Sequence, residues 1–326
     1  MRSTVIAALV LAPLIGVPAV AQNEPARVGV LSLHSEEKER VSGIGVHAIL
    51  PAMESFGYRE GRNVVAHVRH AEGDRERLRP LADELVKIHV HVIVAVGADA
   101  TRVAREAAPS TPIVMAGVGD PVGAGYAASL SRPGGNITGT SLLLPEMAEK
   151  MLDNLKQAVP HVRNVAVLRQ SGNAAHDRMI AQLASAAPAV GAKLSPVVTE
   201  TADDVNRQFA GLRASGIDAF VTLPNPALDD LSKEIGEAAL RHGFPGAGWQ
   251  RFQAESGYLL SYGPNLAEMH ARAAFYVDRI LKGANPAELP IQQAERFRLT
   301  INLKTAKALG LEISPSFLAH TDEVIE

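Results

Sequence analysis

Residues 129–141, SLSRPGGNITGTS, set Arg132, Pro133, Gly134, Gly135 and Asn136 directly ahead of a β-branched run. Glycines beside a strand can cradle a phosphate, but this segment lacks the Lys-Ser/Thr pair that a P-loop needs. Pro133 fixes its own φ and a following glycine accepts φ > 0, which is the chemistry of a tight turn. The segment reads as a turn that launches the strand NITGTSL (136–142). Pro145 and Glu146 then open a helix that turns Met147, Met151, Leu152 and Leu155 inward.

The same alternation extends in both directions. Upstream lie RVGVLSL (27–33), NVVAHVR (63–69), VHVIVAV (90–96) and PIVMAGV (112–118). Downstream lie NVAVLR (164–169), KLSPVVT (193–199), IDAFVTL (217–223), FPGAGW (244–249) and GYLLSYG (257–263). Runs of this length and composition are buried strands. Between them apolar residues recur at helical spacing, as in Leu78, Leu81, Leu85 and Ile88, or Val205, Phe209 and Leu212. Strand–helix alternation predicts parallel sheets covered by helices on both faces. Two successive sets of strands predict two similar lobes. The tail breaks the rhythm: 265–283 reads as one long amphipathic helix, and RFRLTINLKTAKALGL (296–311) as a strand followed by a short helix.

Composition narrows the function. With 47% hydrophobic residues, 21% charged residues and a formal net charge of −3, the chain is globular and is not built for nucleic acid. Arg2 precedes an apolar run from Val5 to Val17 and then Ala19-Val20-Ala21, the pattern of a secretory signal peptide (1–21) cleaved after Ala21. Cysteine is absent, so neither a disulfide nor a lipidated N-terminal cysteine is possible. The expected compartment is the periplasm.

Catalytic chemistry finds little support. GVGDPVGAG (117–125) follows a strand, but Asp120 and Pro121 interrupt any dinucleotide fingerprint. No G-x-S-x-G elbow occurs. His67 with His70, and His89 with His91, have spacings that can bind metal, but no H-E-x-x-H or carboxylate cluster accompanies them. No enzyme, metal site or cofactor is therefore expected. What remains is a pair of α/β lobes with polar loops at the carboxyl ends of their strands, where open sheets bind ligands.

At this point DPVGAGYAASLSRPGGNITG (120–139) resembles the most distinctive segment of a bacterial family of ABC-transporter substrate-binding proteins that includes tryptophan- and tyrosine-binding members. FGYREGRNV (56–64), LSYGPN (260–265) and YVDRILKGANPAELPIQQAERFRLTINLKTAKALGL (276–311) resemble it too, in the same order, as does the DEVIE end. The resemblance implies the type I periplasmic-binding fold: two Rossmann-like lobes joined by a three-strand hinge. It assigns 27–143 and 264–288 to lobe I, and 144–263 and 289–326 to lobe II. The crossovers would involve Leu142 and Leu143, then Ser261 and Gly263, then Pro290 and Ile291.

The implied function is a monomeric receptor that closes over a small polar or amino-acid-like solute, aromatic ones included. It would deliver that solute to an inner-membrane ABC permease and its ATPase. A periplasmic sensor that docks onto a signalling partner would share the fold. Candidate solute contacts in lobe I are Ser32, His34, Gly97, Ala98, Gly119 and Asp120. In lobe II they are Arg169, Ser171, Asn173, Asn225, Trp249 and Gln250, with Tyr262 at a crossover. Two loops depart from the family pattern, RQSGN (169–173) and SLHSEEKER (32–40), and both lie where selectivity is set.

Overall fold

The computed structural model describes residues 24–142 and 144–326. The expected signal peptide and Leu143 lie outside the described residues. Lobe I begins with β1 (Ala26–Ser32), α1 (Glu36–Ser42), α2 (Val46–Glu54), β2 (Val64–His70), α3 (Leu78–Lys87) and β3 (Val92–Val96). It continues through α4 (Gly97–Ala107), β4 (Ile113–Val118) and β5 (Ile137–Ser141). The chain then builds lobe II from α5 (Leu144–Ala158), β6 (Asn164–Arg169), α6 (Ala174–Ala186), β7 (Lys193–Val198), α7 (Ala202–Leu212) and β8 (Ala219–Thr222). Next come α8 (Pro226–Asp230), α9 (Ser232–His242), β9 (Gly246–Gly248), α10 (Arg251–Glu255) and β10 (Leu260–Pro264).

The tail weaves between the two. Helices α11 (Leu266–Ala271) and α12 (Ala273–Leu281) return to lobe I and pack on α2 and on β4. Strand β11 (Gln292–Gln293) follows, then β12 (Phe297–Asn302), α13 (Leu303–Ala308), α14 (Pro315–Leu318) and β13 (Glu323–Ile325). The first sheet has the order β11-β5-β4-β3-β1-β2 and the second β13-β12-β10-β9-β8-β6-β7. Pairing is parallel throughout except between β10 and β12, which run antiparallel. The central strands are buried on both faces, as helix-covered parallel sheets require, and read as continuous apolar runs such as VIVAV in β3, whereas the edge strands β2 and β7 are partly exposed.

The opening turn behaves as its residues predict. Gly134 has φ +79°, and its N–H donates to Ala287 O at 3.1 Å, which ties the turn to the returning tail. Leu78 and Leu85 of α3 are fully buried, while Leu81 and Ile88 pack at the margin of the same core. The helix itself starts late, after a 3₁₀ turn at Arg75–Arg77, so Pro80 falls in its first turn where no donor is needed. The long helix expected over 265–283 is interrupted at Arg272. There Phe275 N–H bonds Arg272 O, a tightened turn between α11 and α12.

The third crossover differs from expectation. Pro290 and Ile291 do not form it, and 289–293 belongs to the first lobe. Gln292 and Gln293 pair with Thr140 and Ser141 at the edge of the first sheet. Ile291 N–H donates to Leu130 O at 2.7 Å, and its side chain is buried in the lobe I core. The Tyr276 hydroxyl donates to Pro290 O at 2.7 Å and accepts from Gln292 N–H at 3.1 Å. These bonds hold the segment to α12 and delay the crossing to residues 294–296. Pro286 and Pro290 punctuate this segment, yet the residues after Pro290 still add an edge strand to the first sheet.

Candidate functional site

The carboxyl ends of the two sheets face one another across a cavity of about 900 Å³, lined from both lobes. That volume lies within the range of small-molecule pockets. Most of the residues expected at the site reach it. His34, Gly97, Ala98, Gly119 and Asp120 line it from lobe I. Ser171, Asn173, Asn225, Trp249 and Gln250 line it from lobe II. Leu142, Ser261 and Gly263, expected at crossovers, also border it.

Three expected contacts do not reach the cavity. Ser32 is fully buried, and its hydroxyl accepts from His34 N–H at 3.1 Å, so it shapes the loop instead. The Arg169 guanidinium pairs with Asp177 at 2.7 Å and donates to Gln170 O, which keeps it on its own lobe. Tyr262 stacks on Phe297, with ring centroids 5.5 Å apart, because alternation along β10 turns it into the lobe II core.

Several lining residues serve the backbone first. Asn173 Oδ1 accepts from Ala175 and His176 N–H and caps α6. Asn225 Oδ1 accepts from Ala227 N–H at 2.8 Å and caps α8. By contrast, no side chain caps α4, whose first residues Gly97, Ala98 and Asp99 border the cavity. Free amides and the positive end of a helix dipole favour an anion there.

Trp249, the single tryptophan, is 6% exposed and belongs to the core cluster that runs through the crossovers. It is a packing anchor, not an open stacking platform. Its indole Nε1–H donates to Asp229 Oδ1 at 2.8 Å, and Gln253 Nε2–H reaches the same oxygen at 3.3 Å. Gln253 Oε1 in turn accepts from Trp249 N–H at 2.7 Å. Burial pushes the Asp229 carboxyl up to about 7, against the opposing hydrogen bond from Trp249 and the charge of Lys38.

Ion pairs bridge the two lips. Lys38 of α1 pairs with Asp230 of α8, and Asp120 of lobe I pairs with Arg178 of α6 at 3.2 Å. Behind the lobe I wall, His270 Nδ1 accepts from Gly45 N–H at 2.8 Å, and burial lowers this imidazole to about 4. Sequence reasoning missed Asp229, Lys38, Arg178 and His270. Asp229 sits four residues after Asn225 in the same loop-to-helix segment, so the strand-end rule was pointing there. The indole that orients it is 20 residues further along the chain.

Residues 34–325 match the family described as ABC transporter substrate binding protein. The chain belongs to this family. A curated relative, the tyrosine-binding protein of Clostridioides difficile strain R20291, is 24% identical over 263 residues, covering 81% of this chain and 75% of the relative. Among solved structures, a conserved domain protein of Vibrio cholerae O1 biovar El Tor strain N16961 is 26% identical, with a TM-score of 0.84. The match covers 92% of this chain and 100% of that one. An ABC domain of Streptococcus pneumoniae crystallised with L-Trp is 22% identical, also with a TM-score of 0.84, covering 93% of this chain and 100% of the other. These likenesses establish the type I periplasmic-binding architecture of this substrate-binding protein, two parallel-dominated α/β lobes with a cleft between them.

Proposed function

We infer that this substrate-binding protein is the extracytoplasmic receptor of an ABC importer for a small amino-acid-like solute. The observation that carries the reading is the cavity of about 900 Å³ lined by strand-end loops of both lobes. A solute that touches both walls binds the closed arrangement better than the open one and shifts the population towards it. Closure removes water from the polar contacts and presents matched surfaces of both lobes to a permease. The free amides of α4 supply a place for a carboxylate on the lobe I side. No bond need be made or broken by the protein. The names of the relatives support an amino acid, and the Arg2-led apolar N-terminus supports export to the periplasm.

The test is a thermal-shift screen of refolded protein lacking residues 1–21 against amino acids, aromatic acids, nucleobases and sugars. A ligand present at 100 times its dissociation constant adds about 2.7 kcal/mol, a rise of several degrees. A saturable rise confined to amino acids supports the reading. A rise with sugars alone would replace the solute class, and no rise with any class would remove the receptor role.

A further inference from the structure

Asp229 has a geometry that the hinge mechanism alone does not explain. It stands in the cavity wall at the end of α8, directly beyond the carboxyl end of β8. One oxygen, Oδ1, takes both protein donors, Trp249 Nε1–H and Gln253 Nε2–H. Among the described residues no donor reaches Oδ2. The two donors fix the plane of the carboxylate, and they are themselves fixed. Trp249 is packed in the core, and Gln253 is fully buried and held by two backbone N–H groups. A group oriented this rigidly presents its free oxygen at little entropic cost when a ligand arrives.

The surrounding charges leave that oxygen without a counter-ion. Lys38 of the opposite lobe, whose charge acts on Asp229, is already paired with Asp230. Asp230 itself is a like charge. Tyr258, behind Asp229, bonds Thr222 through its hydroxyl at 3.1 Å and is neutral, since burial pushes it up.

The geometry points to Asp229 as the residue that selects the solute for a protonated amine, whose N–H donates to the free Oδ2 in the closed cleft. This rests on the receptor reading above and deepens it: the ligand class becomes primary ammonium compounds, and the selecting atom lies on lobe II. The α4 amides on lobe I would then face the opposite, anionic end of a zwitterion.

A consequence separates this subsite from a plain hydrogen bond. With its free carboxyl lifted to about 7, Asp229 is largely protonated below neutrality and must lose that proton to accept an ammonium. Binding of an amine at mildly acidic pH therefore releases a proton. Affinity rises with pH through neutrality and levels off above it, by at most about tenfold per unit. A neutral hydroxyl donor has no comparable preference for the ionised form.

Calorimetry on the chain lacking residues 1–21 tests this, at about pH 6 and about pH 8. The probes are L-tyrosine and L-tryptophan, their desamino counterparts 3-(4-hydroxyphenyl)propionate and indole-3-propionate, and D-glucose and myo-inositol. The expected result is binding of an amine probe at least about tenfold tighter than its desamino partner, with proton release near pH 6. D229N should lose about tenfold or more for the amine probe and lose its pH dependence, and D229E should fall between.

A second readout needs no variant. Trp249 is the single indole in the chain, so its emission should show a transition near neutrality that L-tyrosine moves to lower pH. An amine probe that binds D229N as tightly as wild type, or that leaves the Trp249 transition in place, overturns the assignment while the receptor reading stands. A desamino or polyol probe binding as tightly as any amine does the same. Binding of none of the six overturns the amino-acid reading and the subsite together.

Discussion

The Asp120 carboxylate and the Arg178 guanidinium meet at 3.2 Å across one lip of the cleft. Asp120 belongs to the loop after β4, and Arg178 to α6 of the other lobe. With Lys38 and Asp230, they make a second set of interlobe contacts away from the crossovers. Both side chains of the Asp120 pair are partly exposed, so the pair contributes at most about 1 kcal/mol. That is enough to bias an equilibrium between open and closed lobes. R178M should weaken solute affinity by about two- to fivefold and increase the radius of gyration of the free protein in small-angle scattering. The difference between variant and wild type should shrink in high salt, because exposed pairs are screened. An affinity loss that persists undiminished at high salt would mean that Arg178 touches the solute itself.

Buried Glu39 and half-buried His70 form a pair that fixes α1, the helix carrying Lys38. Glu39 Oε2 accepts from His70 Nε2 at 3.2 Å and from Val46 N–H at 2.9 Å. Burial pushes the Glu39 carboxyl up, but His70, Ser32 and Val46 together bring it below its ordinary 4.5. The bond to Glu39 raises His70 above its ordinary 6.5, against burial. The pair therefore stabilises most between these two ordinary values. It fades as pH rises through the elevated His70 value, and again as pH falls through the lowered Glu39 value. H70Q should cost about 2 kcal/mol near about pH 5.5 and clearly less near about pH 8.5, read from urea midpoints. An equal cost at both values would show that packing, not charge, holds the two together.

His270 predicts the opposite slope. It is 3% exposed and accepts from Gly45 N–H, so the folded chain keeps it neutral down to about 4, whereas an unfolded imidazole takes a proton near 6.5. Lowering the pH through this window favours the unfolded state by about 3 kcal/mol in full. H270N retains an acceptor and cannot titrate. Its stability should fall less than that of wild type between neutral pH and about pH 4.5. The comparison isolates His270 from Asp229, whose raised value acts in the opposite sense. Identical acid slopes in the two proteins would refute the assignment.

Gly263 shows how tightly the second crossover is built. A β-carbon there would stand 1.9 Å from Trp249 O and 3.5 Å from Met147 Sδ. The obstacle is backbone, which cannot swing aside. G263A should cost about 3 kcal/mol in urea unfolding. Because the displaced carbonyl belongs to Trp249, whose ring holds Asp229, the surviving folded protein should also bind solute more weakly. Stability close to wild type would mean that the crossover has room to shift.

Local chemistry makes much of this protein legible in its sequence. Turn residues at 133–135, period-3.6 stripes and β-branched runs each report interactions with near neighbours, and they located the lobes and the strand-end loops. The cap of α7 is equally local: Thr201 forms a reciprocal box with Asp204, a motif wholly contained in four residues. The site was legible only as a set of loops. Whether a polar side chain in such a loop faces the cavity depends on what else competes for it. Arg169 went to Asp177, Tyr262 to Phe297, and Ser32 to His34 N–H.

The sequence by itself determined two α/β lobes and a ligand face at the strand ends, because these follow from periodicity and chain direction, while the tail's return to lobe I was implied only by the family resemblance. Only the tertiary structure decided that β11 stays with lobe I, that Trp249 packs in the core, and that both protein donors to Asp229 fall on one oxygen. Those outcomes depend on groups brought together from distant segments, such as Tyr276 with Gln292, Trp249 with Asp229 and Lys38 with Asp230. Burial then sets the energy of each contact, and no local pattern encodes how deeply a residue will be buried.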